Sequence, residues 1–179
     1  AVRRVSEQIG TALKDKGGYH TVVMRSTIQP GSMDEVVKAG IELTSGKVAN
    51  RDFGLCFQPE FLREGTSIKD YDSPPFTVIG TEDPRAAEVL RSVFGHLPCD
   101  FLTTSIGVAE MLKYACNAFH AVKITFANEV GRLSQSVGVD ARAVMELVCK
   151  DKRLNISPAY LKPGFAFGGS CLPKDLRAL

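Results

Sequence analysis

Apolar residues recur every three or four positions from the start of the chain. Val2, Val5, Ile9 and Leu13 share one helical face, which predicts a helix over residues 1–16, stopped by Gly17-Gly18. The period then shortens. YHTVVMRST, residues 19–27, is a β-rich run, and its unbroken centre at 21–24 predicts a buried parallel strand. Beyond Gln29-Pro30-Gly31 a helix is expected to open at Ser32, with Ser32 and Glu35 spaced as a capping box. Short strands are predicted at 53–57, 76–79 and 101–103, and a helix at 83–94 with Pro84 early in it. Strands alternating with helices predict an α/β domain with a mainly parallel sheet.

Near Ser105 the pattern changes. Over residues 107–137 helical periodicity is nearly unbroken and proline-free, and Ala109, Leu112, Cys116, Phe119, Val122, Phe126, Val130 and Leu133 form one broad apolar stripe. Gly138 is expected to end this long helix, Asp140 to cap another over 141–149, and residues 151–163 read as loop. The chain thus divides into residues 1–104, the back half of an α/β domain, and residues 105–179, an all-α domain. It contains no GxGxxG turn, so either the fold is not a dinucleotide fold or its opening strands lie outside the sequence.

Composition narrows the function classes. The 179 residues are 44% apolar, enough for a real core, and 22 Lys and Arg nearly balance 20 Asp and Glu. That balance, without basic runs, argues against nucleic acid as the main partner. No stretch is long enough to cross a bilayer, and no leader pattern opens the chain, although AVRRVSEQIG reads as the inside of a helix and not as a natural beginning. Of five cysteines, Cys56, Cys99, Cys116 and Cys149 sit in apolar patterns and read as buried thiols of a reducing, cytoplasmic compartment. The three histidines are scattered and no zinc-ligand spacing occurs, so no metal is expected.

Cys171 stands apart. In GGSCLPKD, glycines precede the thiol and a helix start follows it. A thiol at a helix N-terminus beside Lys174 has a lowered pKa, and Asp175 lies within reach for proton transfer. A half-buried cysteine with a salt-bridging aspartate fits the same letters. In QPEFLREG, Glu60 and Glu64 would share a face if they span one helical turn, and paired carboxylates push one pKa upward; an exposed turn with Arg63 and Lys69 as counter-ions is the plainer account. On the long helix Lys113 and Asn117 are neighbours able to stabilise an oxyanion, or else a snorkelling lysine and a helix–helix hydrogen bond. Thr27 follows a strand, where open α/β sheets bind ligands, though ordinary turn chemistry explains it nearly as well.

Taken together, STIQPG, PEFLREG, Lys113 with Asn117, and GFAFGGSCLPKD closely resemble the nucleotide-sugar 6-dehydrogenases, a family that includes UDP-glucose and GDP-mannose dehydrogenases. The resemblance covers the whole chain and less than half of a family member: the later half of a Rossmann-like NAD-binding domain, then the central helical domain. It implies oxidation of a sugar C6 alcohol to a carboxylate with two NAD, through a thiohemiacetal and a thioester on Cys171. It further implies Asp175 as catalytic aspartate, Lys113 and Asn117 at the C6 oxygen, and Glu64 in water activation near the nicotinamide. Glu60 matches a second acidic group, Thr27 and Lys174 match cofactor contacts, and Phe61, Leu62, Arg63 and the 164–169 loop with Gly168 match substrate-holding backbone. The wording of both loops is nearer the GDP-mannose branch than the UDP-glucose branch. A homodimer through the long helix is the implied assembly. The β-hydroxyacid dehydrogenases share the Lys-x-x-x-Asn pair but need no cysteine, and a pure interaction module is the remaining alternative. Without a glycine-rich turn, residues 1–179 alone are expected to show no measurable NAD affinity, and to expose apolar surface that favours self-association.

Overall fold

The computed structural model describes residues 1–164 and 171–178; residues 165–170, Leu179 and the side chain of Cys171 lie outside the described set. Among the described residues, seven α-helices and four strands follow in the order α1 (Val2–Lys14), β1 (Thr21–Met24), a π-helical segment (Met33–Lys38) running into α2 (Ala39–Ser45), β2 (Gly54–Phe57), α3 (Ser67–Asp72), β3 (Phe76–Gly80), α4 (Pro84–Phe94), β4 (Asp100–Thr104), α5 (Ile106–Ser136), α6 (Ala141–Val148) and α7 (Cys171–Ala178). Two compact units result, Ala1–Asn117 and Ala118–Leu179. The division falls inside α5, not where the periodicity changes, because the first turns of α5 pack into the α/β core through Ile106 and Ala109.

The first unit is an α/β sheet in the order β1-β2-β3-β4. β1 runs parallel to β2, and β3 parallel to β4. The central pair departs from the expected parallel pattern: β3 meets β2 antiparallel and only at its tip, Phe57 opposite Gly80. The connection between them holds only α3, with no helix returning the chain to the start of β2. β2 is buried throughout, and its alternation sorts the two layers. Leu55 and Phe57 pack with Leu13, Met33, Val37 and Ile41, while Cys56 packs with Ile79, Ala86, Leu90 and Phe94. At Gly80 a Cβ would lie 2.7 Å from Ala109 Cβ and 2.9 Å from Ile106 Cα, so only glycine lets β3 approach the start of α5 this closely.

The expected capping box does not form. Ser32 has helical dihedrals and its side chain caps nothing. The two amides of such a box are bound by backbone instead, Glu35 N–H to Gly31 C=O and Ser32 N–H to Gln29 C=O, while Glu110 of α5 accepts from the neighbouring Gly31 and Met33 amides. Asp83, by contrast, caps α4 as its position suggests, accepting from Arg85 N–H at 2.9 Å. Tyr19 donates to the same carboxylate at 2.7 Å, and the Arg85 guanidinium lies over the Tyr19 ring at 4.3 Å.

Burial, then the hydrogen bond to Asp83, pushes the Tyr19 phenol up to about 12. The folded state therefore holds this proton more tightly than the unfolded chain. Its stabilisation is complete below about pH 10 and is lost as pH rises toward 12. Thermal melts of the full-length protein across pH 9 to about 12 are expected to fall more steeply for wild type than for Tyr19→Phe; parallel curves would remove Tyr19 from the account.

In the second unit, Gly138 with φ of +69° ends the long helix, and Asp140 accepts from the amides of Arg142 and Ala143 to open α6. The apolar stripe of α5 is divided. Ala109 is buried, but Phe119 is 41% exposed, Val122 61% and Phe126 54%. Among the described residues no helix is long and apolar enough to cross a membrane.

Candidate active site

β1 and β2 end side by side, Met24 opposite Phe57, and the ladder continues one step further as Gln58 N–H donates to Met24 C=O at 2.9 Å. Past this point the two chains leave the sheet at its carboxyl edge as the Arg25–Thr27 and Gln58–Arg63 segments. Lys113, one of the few buried charged residues, rises from α5 to meet the second of these. Its ammonium donates to the carbonyl oxygen of Glu60 and to Glu60 Oε1, 3.3 Å away. The Phe61 ring lies 5.3 Å from Nζ and is itself held edge-on against Phe76. A lysine ammonium has three N–H donors, so two are engaged by Glu60 and one is left without a partner among the described residues.

The two glutamates do not form a pair. Residues 58–63 form no helical turn, and two of their amides are bound by side chains. Leu62 N–H donates to Glu60 Oε2 at 2.8 Å and Arg63 N–H to Asp70 Oδ2 at 3.0 Å. Glu64 sits in an exposed turn beside Gly65, whose φ is +82°. The Glu60 pKa accordingly moves opposite to the paired-carboxylate expectation. Burial opposes ionisation, but the Leu62 N–H and the Lys113 ammonium outweigh it and hold the carboxyl below its ordinary value. Nor does Arg63 act as counter-ion to a glutamate. It pairs with Asp70 at 2.6 Å, and Asp70, which also accepts from Thr66, has its pKa drawn far down by that guanidinium. With both amides engaged, Leu62 and Arg63 present side chains and carbonyl oxygens to any ligand.

Thr27 is exposed beyond β1 and lines a cleft with Gln29, Ser32, Val36 and Tyr114. Asn117 lies one turn after Lys113 on α5, exposed. On α7, Lys174 Nζ lies 3.2 Å from Asp175 Oδ1, both side chains exposed. Cys171 is the first residue of α7; its side chain and Gly168 lie outside the described residues. Two groups near the site were not legible as such in the sequence. Gln58 Oε1 is buried without a partner among the described residues. Glu110, 1% exposed, stands one helical turn before Lys113; the available signal was a carboxylate placed directly beside Ala109 of the apolar stripe.

Comparison with known proteins gives two adjoining matches. Residues 1–98 match the NAD binding domain of the UDP-glucose/GDP-mannose dehydrogenase family, and residues 107–179 match its central domain. The chain belongs to this family. It is 54% identical to the GDP-mannose 6-dehydrogenase of Pseudomonas savastanoi pv. phaseolicola, over 99% of this chain and 41% of that protein. It is 38% identical to a UDP-glucose 6-dehydrogenase of Haloferax volcanii, over all of this chain and 42% of that protein. A crystal structure of a ternary complex of GDP-mannose dehydrogenase from Pseudomonas aeruginosa superposes with a TM-score of 0.97 at 51% identity, covering 99% of this chain and 41% of that one. A UDP-glucose dehydrogenase from Pyrobaculum islandicum superposes with 0.80 at 40% identity, covering 97% and 39%. The chain therefore spans about two fifths of the family members it matches. Within it, the family's two domain matches change over between residues 98 and 107, just ahead of α5.

Proposed function

We propose that the protein containing this chain is an NAD-dependent nucleotide-sugar 6-dehydrogenase acting on GDP-mannose. The observation that carries the reading is the buried Lys113, engaged by Glu60 at the carboxyl edge of the sheet with one N–H to spare. Such a donor, fixed before the reaction and held in a dry setting, suits an oxygen that gains negative charge. The substrate assignment is supported by relatives above 50% identity that are named GDP-mannose 6-dehydrogenase or GDP-mannose dehydrogenase, against 38% and 40% for those named for UDP-glucose.

NAD, when bound, supplies the two-electron acceptor for each of two oxidations. Thr27 fits a contact to it: the residue is exposed at the carboxyl edge of β1, and its hydroxyl makes no hydrogen bond within the described residues. Lys174 is assigned to the cofactor's phosphates. The first oxidation converts the C6 alcohol to an aldehyde. The Cys171 thiolate, favoured at the first turn of α7, adds to the aldehyde carbon to give a thiohemiacetal. Lys113 and Asn117 stabilise the oxyanion formed in that addition. The second oxidation leaves a thioester, and water attacks it to release the carboxylate and restore the thiol, with Glu64 and Asp175 handling the protons. Glu60 holds Lys113 in place, while Phe61, Leu62, Arg63 and the loop containing Gly168 hold the sugar nucleotide. The exposed stripe at Phe119, Val122 and Phe126 is assigned to a homodimer through α5, and the free cysteines suit a cytoplasmic enzyme.

The full-length protein, given NAD and GDP-mannose, is expected to form two NADH per carboxylate, with kcat/KM for UDP-glucose at least about 10²-fold lower. Turnover of UDP-glucose at an equal rate would defeat the substrate assignment, and no NADH from either sugar would defeat the enzyme assignment.

A further inference from the structure

Glu110 is a buried carboxylate that the scheme above does not use. Its two oxygens are both occupied: Oε2 accepts from Gly31 N–H at 2.8 Å and Oε1 from Met33 N–H at 2.9 Å. It takes part in no salt bridge among the described residues and is only 1% exposed. A carboxylate in such a place is costly unless its lone pairs are met, and here backbone donors at the start of a helical segment meet them. An apolar side chain would fill the space at lower cost. The carboxylate therefore contributes direction: two hydrogen bonds fix both the angle and the distance between the elements that carry them.

Those elements are the ones that bear the chemistry. On one side, Ser32 N–H bonds Gln29 C=O and Glu35 N–H bonds Gly31 C=O, so residues 29–35 form one tight turn into the π-helical segment. Thr27 lies two residues before that turn, next to Ile28, which is buried in the same core as Met33, Ile106 and Ala109. On the other side, Glu110 stands three residues before Lys113 and seven before Asn117 on the continuous α5. We infer that Glu110 is a positioning residue, coupling the loop that carries Thr27 to the helix that carries Lys113 and Asn117. The hydride acceptor and the oxyanion donors are thereby held in register. This rests on the functional reading given above.

Glu110→Gln tests it in the full-length enzyme. An amide has a single acceptor oxygen, so one backbone N–H must lose its partner while side-chain volume is kept. The expected result is a drop in kcat per folded active site of about 10- to 100-fold, with a raised KM for NAD and unchanged GDP-mannose affinity. A merely structural role would lower the melting temperature and leave kcat per folded site unchanged. Because Glu110 acts through the Thr27 loop, Glu110→Gln and Thr27→Ala together are expected to cost less than the product of their separate effects, by a factor of about 3 or more. Fully multiplicative effects, or an unchanged kcat, overturn the proposal.

Amide exchange reads the link without activity. In wild type, Gly31 and Met33 are expected to exchange at least about 10-fold more slowly than in Glu110→Gln. If that variant does not fold, wild type alone decides, and rapid exchange of these two amides overturns the link. An inactive wild-type enzyme overturns the functional reading and the catalytic half of this proposal, while the exchange rates still judge the link by itself.

Discussion

Full-length enzyme carrying Cys171→Ala is expected to form no carboxylate, a loss on the order of 10⁴-fold or more, as when a covalent nucleophile is removed elsewhere. The reason is specific to the second oxidation. An aldehyde cannot lose hydride to give an acid until a nucleophile has added to its carbon, and in the proposed scheme the sulfur makes that addition and then leaves as a thiol. Cys171 is the first residue of α7. Product analysis with the sugar nucleotide and NAD should find aldehyde or nothing, and no thioester trapped by rapid acid quench. Acid accumulating at the wild-type rate would end the thioester scheme while leaving the family assignment intact.

Lys113→Met is expected to lower kcat by about 10²–10³-fold, the usual loss for one preorganised oxyanion donor. The long apolar stem is retained, so the change isolates the ammonium. Its removal also strips Glu60 of the partner that, with the Leu62 amide, holds its pKa down. Wild-type stability from this pair is present above the ordinary carboxyl range and fades as pH falls through the lowered Glu60 value. The variant is therefore expected to lose its melting-temperature deficit in acid while keeping its kcat deficit at neutral pH. Lys113→Arg should restore little, because a planar fork cannot take the place of an ammonium seated between the Glu60 carbonyl, its carboxylate and the Phe61 ring. Wild-type kcat in Lys113→Met would remove the lysine from the mechanism.

Several features were legible from single residues because their causes are local. Asp140 caps the helix that follows it, and Gly138 ends α5 in a left-handed conformation, as their chemistry requires. The strand at 21–24 and the long helix after Ser105 follow from periodicity. Two inferences about which groups pair with which failed. Ser32 and Glu35 have the spacing of a capping box, but Gly31 C=O takes the Glu35 amide and Gln29 C=O the Ser32 amide, in a turn that Glu110 binds from 77 residues away. Glu60 and Glu64 have the spacing of a helical turn, but Lys113 binds Glu60 and Asp70 takes the Arg63 amide, and no helical turn forms over 60–64.

By itself, then, the sequence determined the α/β fold class with its long helix, most of the order of elements and the family, since these rest on period, residue type and motif. Only the tertiary structure decided that β3 meets β2 antiparallel, that Glu60 belongs to Lys113 and Arg63 to Asp70, and that Glu110 binds the turn after β1. Charged and polar side chains pair with whatever the folded backbone brings within about 3 Å, and separation along the chain places no limit on which partner that is.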